Sequence, residues 1–181
     1  VKARKNLMDL KTRLQNQNEH VVPGLAQKAH AQVMKTLAAQ IAKLEAAISA
    51  KVKATPEFAE RAEIIESVPG LAGTTSAILI AGAPELGKVS DEIAAALIGV
   101  APYDDDSGNR RGERHIKGGR RWVRNGLFLP CLGAATQHNP VLKAYYERLT
   151  AKGKEPKGAL IACMRKLIII LNTRIARGEK W

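Results

Sequence analysis

Cysteine is nearly absent from this chain. Its two copies in 181 residues, Cys131 and Cys163, are far apart and match no metal or redox spacing. A disulfide framework and a paired-cysteine metal site are therefore excluded, and both read as small buried apolar residues of a reducing compartment. Long apolar runs are missing too. The C-terminal apolar stretch is broken by Arg165 and Lys166 and is too short to span a bilayer. The first residues, VKARKNLMDLK, are charged and carry no apolar core of a signal peptide. These absences predict a soluble, cytoplasmic protein without a membrane partner. There is no alternating strand pattern of useful length, no internal repeat and no low-complexity tract. The first residue is Val, not Met, which suggests a piece of a longer protein.

Acidic residues are the remaining shortage. Seventeen Asp and Glu face 29 Lys and Arg, for a net charge of +12. Such a surplus points to nucleic acid, because neutralising phosphates releases counterions. A ribosome-like structural protein and a solvated basic surface fit the composition as well. The charge is concentrated. Residues 110–124 hold Arg110, Arg111, Arg114, Lys117, Arg120, Arg121 and Arg124 against the single acid Glu113, half of the chain's net charge. Gly108, Gly112, Gly118 and Gly119 let the backbone pass close to a partner where a side chain would block it. Ser107 stands at the edge of this segment.

What is present is helical periodicity, which predicts an all-α fold in two parts. Over 1–55, Met34, Leu37, Ile41, Leu44 and Ile48 repeat at heptad spacing. Leu7, Leu10, Leu14 and Val21 form a weaker seam before them, and Pro23-Gly24 reads as a turn between the two. A stripe so narrow needs a partner, either the other arm of a helical hairpin or a second subunit; self-association through this arm is expected. Over 56–181 a compact helical domain follows. Thr55-Pro56 starts a helix that ends at Val68-Pro69-Gly70, and a second helix begins near Thr74. Helix, PGLAG and helix resemble a helix-hairpin-helix over about 60–82, in which backbone N–H groups at a helix N-terminus hold a phosphate. Gly70, Gly73 and Thr74 are its candidate contacts, although Thr74 or Thr75 can equally serve as a helix cap. Ser90-Asp91-Glu92 caps a short helix ending at Gly99. Two longer helices are expected from about Gly119 to Gln137 and from about Pro156 to Arg177. The apolar face of the last comprises Leu160, Ile161, Met164, Leu167, Ile168 and Leu171.

The chemistry available at Ser107 depends on its surroundings. A serine hydroxyl is a poor nucleophile unless it is deprotonated or its transition state is stabilised. The Arg and Lys cluster can hold a scissile phosphate and neutralise its developing charge. A serine in a loop reading DDDSGN also fits a turn. Asp104, Asp105 and Asp106 match no metal loop and read as solvated, so no metal site is expected in this chain. His20, His30 and His138 are single and read as structural or surface residues. Tyr145 and Tyr146 read as helix packing, and Trp122 either stacks on a base or packs in the core.

Several blocks together resemble a known family. VPGLAGTTSAILIA, GVAPYDDDSGNRRGERHIKGGRRWVRNGLF and YYERLTAKGKEPKGALIACMRKLIIILNTRI follow the heptad arm in the order found in bacterial insertion-sequence transposases. These are the DEDD-type enzymes related to the Piv DNA invertase, which use a structured non-coding bridge RNA as guide. The resemblance covers essentially the whole chain, as the C-terminal two-thirds or so of such a protein. It implies that Ser107 is the covalent nucleophile of DNA strand exchange. It also implies that Gly108, Arg110, Arg111, Arg114, Lys117, Gly118, Arg120, Arg121 and Arg124 contact DNA or guide RNA. The heptad arm corresponds to the family's coiled coil, which supports assembly of a homo-oligomer. The magnesium such enzymes need is implied on four acids of an N-terminal domain outside this chain, so no cofactor is expected here. Asn125-Gly126 and Pro130 depart from the family pattern, interrupting a helix that is usually rich in leucine and alanine.

The sequence therefore reads as the serine-bearing part of a DNA transposase or site-specific recombinase, inactive as an isolated fragment. The rival reading is a non-catalytic helix-hairpin-helix scaffold that grips nucleic acid. A ribosome-associated structural protein is the third.

Overall fold

The structure is a computed structural model that describes residues 1–17, 24–104 and 114–181. Among these residues it holds eight α-helices and one two-stranded sheet, so the all-α expectation holds. The chain divides into two compact units, Val1–Thr55 and Pro56–Trp181.

The first unit pairs α1 (Lys2–Gln17) with α2 (Leu25–Ala54). The heptad seam is visible in the burial: Leu37 and Ile41 are buried, and Met34, Leu44 and Ile48 are half-buried. Polar ties fix the register of the two helices. Arg4 Nε donates to Glu45 Oε1 at 2.7 Å, and His30 Nε2 lies 2.9 Å from the Leu14 carbonyl. His30 is thus structural. Of the weaker seam, Leu7 and Leu14 are half-buried while Leu10 is exposed. Val21, His20 and Pro23 lie outside the described residues.

The second unit is built on its last helix. α8 (Pro156–Arg177) starts with proline at its first turn and ends at Gly178 in the left-handed region. Leu160, Cys163, Met164, Leu167, Ile168 and Leu171 are fully buried along one face at spacings of 3 and 4. Ile161, expected on that face, is only half-buried and turns to a cleft instead, while Cys163 takes a core position. Around α8 pack α3 (Pro56–Glu66), α5 (Asp91–Ile98), α6 (Arg121–Gly133) and α7 (Pro140–Ala151), and α4 (Gly73–Gly82) lies against α3 and α6. Buried Asn172 in α8 pins the α4–α5 connection: its side chain accepts from the Gly87 N–H at 2.8 Å and donates to the Val89 carbonyl at 2.9 Å.

Cys131 and Cys163 are free and fully buried. Burial pushes their thiols up to about 12 and about 11, so both stay protonated and inert. Helix α6 runs unbroken through Asn125-Gly126 and Pro130. A helical proline lacks the N–H for one backbone hydrogen bond and crowds the carbonyl four residues back, here that of Gly126, yet α6 continues past it. The regular helix ends only at Gly133, where a π-helical turn, Ala134–His138, leads to Asn139. Asn139 Oδ1 accepts from the N–H groups of Val141 and Leu142, capping α7. Among the described residues no helix is long and apolar enough to cross a membrane.

Candidate nucleic-acid interface

One sheet element escaped the sequence reading. Pro102–Tyr103 (β1) pairs antiparallel with His115–Ile116 (β2), placing Pro102 opposite Ile116 and Tyr103 opposite His115. Two residues per strand leave no alternation to read. The pair is short, but it brings Asp104 and Arg114 together, with Arg114 Nε 2.5 Å from Asp104 Oδ1. Ser107, Gly108, Arg110 and Arg111 lie on the chain between these two residues, outside the described residues, as do Asp105 and Asp106.

After β2 the segment KGGRRWVR folds onto the end of α5. Gly118 and Gly119 both have positive φ, 61° and 66°. Only Gly119 is needed for close approach: a Cβ there would lie 2.3 Å from the Gly99 nitrogen. That approach lets the Arg120 N–H donate to the Leu97 carbonyl at 2.7 Å. Arg124 then reaches back, its Nη1 donating to the carbonyls of Gly99 at 2.9 Å and Gly118 at 2.8 Å. A cation at the C-terminus of α5 is favoured by the helix dipole as well as by the hydrogen bonds. Arg120 forks onto Glu85 with two bonds of 2.6 Å and also donates to the Gly82 carbonyl at 2.9 Å. This pairing holds the Glu85 carboxyl down at about 2. Trp122 covers Gly82, where a Cβ would stand 2.5 Å from its ring.

The basic residues of this segment therefore separate into two kinds. Arg120 and Arg124 donate to groups of the protein itself. Lys117 and Arg121 are exposed, and Gly118 has open space around it. The hairpin candidates fare similarly. Gly70, with φ 94°, packs against Ala134, where a Cβ would come within 2.9 Å. Gly73 and Thr74 are exposed at the start of α4, which no side chain caps. Glu66 already lies at that helix end: its Oε1 accepts from Ser76 Oγ at 2.5 Å and sits 3.6 Å from where a Gly73 Cβ would be. A phosphate arriving there would meet a carboxylate first.

A concave feature lies elsewhere in the second unit. A cleft of about 850 Å³ opens between the β1–β2 pair and the outward face of α8. Its floor is apolar, from Val100, Ile116, Ile161, Ile169 and Ile170, and its rim is cationic, from Arg114, Lys154, Lys157, Arg165 and Lys166, with His115 beside Arg114 and Glu155 as the acid. Tyr145 on α7 orders part of the rim, with Lys166 Nζ 4.6 Å and Arg148 Cζ 5.2 Å from its ring centre. Arg165 has its Nε buried with no hydrogen-bond partner among the described residues. Of the described residues expected from sequence to contact nucleic acid, Arg114 alone lines this cleft. The α7–α8 cations were missed, although the interruption of an apolar helix by Arg165-Lys166 was a signal for them.

Residues 62–147 match the family model described as the transposase IS116/IS110/IS902 family. That segment therefore resembles a transposase domain of this family. That domain includes the whole clamp from α5 to α6, whereas the α8 wall of the cleft follows it in sequence. The chain is 31% identical over 139 residues to the Insertion element IS110 uncharacterized 43.6 kDa protein of Streptomyces coelicolor, covering 75% of this chain and 33% of that protein. It is 29% identical over 133 residues to the pilin gene-inverting protein of Moraxella bovis, covering 72% of this chain and 41% of that protein. A third relative, the Insertion element IS900 uncharacterized 42 kDa protein of Mycobacterium paratuberculosis, is 30% identical over 167 residues, covering 86% of this chain and 40% of that protein. The chain thus spans between a third and about two-fifths of the length of these relatives.

Proposed function

We propose that the chain is the serine-bearing part of a DNA transposase or site-specific recombinase, guided by a non-coding RNA in the full-length protein. Ser107 Oγ attacks a backbone phosphorus and loses its proton. The bridging P–O bond breaks, leaving a phosphoserine link and a free hydroxyl on the departing strand. Attack on that link by the hydroxyl of the partner strand reverses the step and restores the serine. The observation carrying this reading is the Asp104–Arg114 ion pair at the mouth of the cleft. It joins the two described residues that flank the Ser107 segment in sequence, and Arg114 itself lines the cleft whose other cations follow the family match. Cations there offset the charge that builds on the phosphate in the transition state. The resemblance implies that the magnesium such enzymes need is held by four acids of an N-terminal domain outside this chain.

Covalent trapping tests the proposal. The chain is joined to an N-terminal acidic domain from an insertion-sequence relative and supplied with magnesium, guide RNA and target DNA. Protein that stays attached to DNA on a denaturing gel, and is lost with Ser107→Ala, is the expected result. An adduct that survives the substitution overturns the assignment of Ser107. Salt-sensitive binding without any adduct supports the scaffold reading instead.

A further inference from the structure

We infer that the α7–α8 cleft holds an unpaired nucleic-acid strand, with bases on its apolar floor and phosphates on its cationic rim. The inference rests on the nucleic-acid reading above and names which form of nucleic acid this surface takes.

Two observations converge on it. First, the charge is one-sided: Lys154, Lys157, Arg165 and Lys166 line the cleft against Glu155, with Arg114 paired to Asp104, which suits a polyanion. Second, the floor is five aliphatic side chains from three parts of the unit, none of them fully buried except Val100. A duplex keeps its bases stacked and offers phosphates and groove edges, so it would leave that floor wet. An unpaired strand offers both chemistries at once, flat apolar base faces and a phosphate chain, and grooves for such strands combine cations with surfaces on which bases stack.

The path does not end at the cleft. Ile169 and Ile170 also border a second depression of about 340 Å³ with Thr173, Arg174, Arg177, Trp181 and the acid Glu179, which lies 3.9 Å from Arg174. Arg174 stands 5.9 Å from the Trp181 ring, so the far end repeats the pairing of a cation with an aromatic surface. From Lys157 to Arg177 the helix spans about 30 Å, room for roughly nine nucleotides at a stacked rise of about 3.4 Å.

The test uses the 181-residue chain and fluorescence anisotropy with four probes. These are a dodecamer of deoxythymidine, a dodecamer of uridine, an abasic sugar-phosphate dodecamer of equal charge, and a twelve-base-pair duplex. The deoxythymidine or uridine strand is expected to bind at least about tenfold more tightly than the abasic strand and the duplex, and the better of the two assigns the strand as DNA or RNA. Ile161→Asn is expected to remove most of that difference while leaving duplex binding unchanged. If Ile161→Asn fails to fold, the abasic comparison on the unaltered chain still decides. Equal affinity for abasic and base-bearing strands overturns the inference while sparing the nucleic-acid reading. Tighter duplex binding does the same. No binding to any probe at low salt overturns both. Loss of binding to an acidic amphipathic peptide in Ile161→Asn, with strand affinity unmoved, makes the cleft a protein-docking site and also overturns it.

Discussion

Arg120 grips Glu85 with two parallel hydrogen bonds of 2.6 Å, and the same guanidinium holds the Gly82 carbonyl. The fork joins the start of α6 to the chain following α4, and so anchors the C-terminal part of the basic segment. Arg120→Lys keeps the charge and loses the planar fork. Because both side chains are about one-third exposed, the expected loss is about 1 kcal/mol of stability, read as a lower denaturant midpoint. An unchanged midpoint would mean the fork is not formed in solution.

The same pair gives a pH dependence. Glu85 ordinarily titrates at 4.5 and is lowered to about 2 in the folded chain, chiefly by hydrogen bonding from Arg120. A depressed carboxylate adds stability above its unfolded value and loses it as pH falls through the folded one. The thermal midpoint of the chain should therefore drop between pH 4.5 and about 2 more steeply than that of Glu85→Gln. Parallel curves for the two proteins would refute the role of this carboxylate.

Two adjacent glycines should respond differently to alanine. Gly119→Ala drives a Cβ to within 2.3 Å of the Gly99 backbone, whereas at Gly118 nothing lies within 4 Å. Both have positive φ, so both lose about 1 to 2 kcal/mol. Gly119→Ala adds a collision with main chain and should cost at least about 2 kcal/mol more. Matching losses at the two positions would show that α5 and the turn do not touch.

The segment's cations should separate by assay. Lys117→Ala and Arg121→Ala, both at exposed positions, should leave the melting temperature unchanged. Each should lower the salt slope of nucleic-acid binding by about 1 for every phosphate it leaves unneutralised. Arg124→Ala abandons two carbonyl partners and should reduce stability by about 1 to 3 kcal/mol. A purely electrostatic signature for Arg124→Ala would return it to the phosphate-binding set.

Local signals account for what the sequence made readable. Ser90 caps α5, accepting from the Ile93 N–H at 3.4 Å, and Gly99 and Gly178 end their helices in the left-handed conformation. These depend on one or two residues and their neighbours, so the chain spells them out. The core face of α8 followed from spacing for the same reason. The roles of Arg120 and Arg124 did not follow, because their partners Glu85 and Gly99 are 35 and 25 residues away. A run of cations looks uniform until the fold assigns some of them to carbonyls and carboxylates. The cleft was less legible still. Its rim comes from β2, the α7–α8 connection and α8, and only tertiary packing brings those together.

Helix α8 buries Met164, Leu167 and Leu171 on one side and presents Ile161, Ile169 and Ile170 to the cleft on the other. Nothing separates the element that would meet a ligand from the element that the second unit cannot fold without. Occupancy and unfolding are therefore thermodynamically linked. A ligand held at about a hundred times its dissociation constant adds about 2.7 kcal/mol to the folded state. The melting curve of this chain is thus a label-free gauge of cleft occupancy, usable before any guide or target sequence is known.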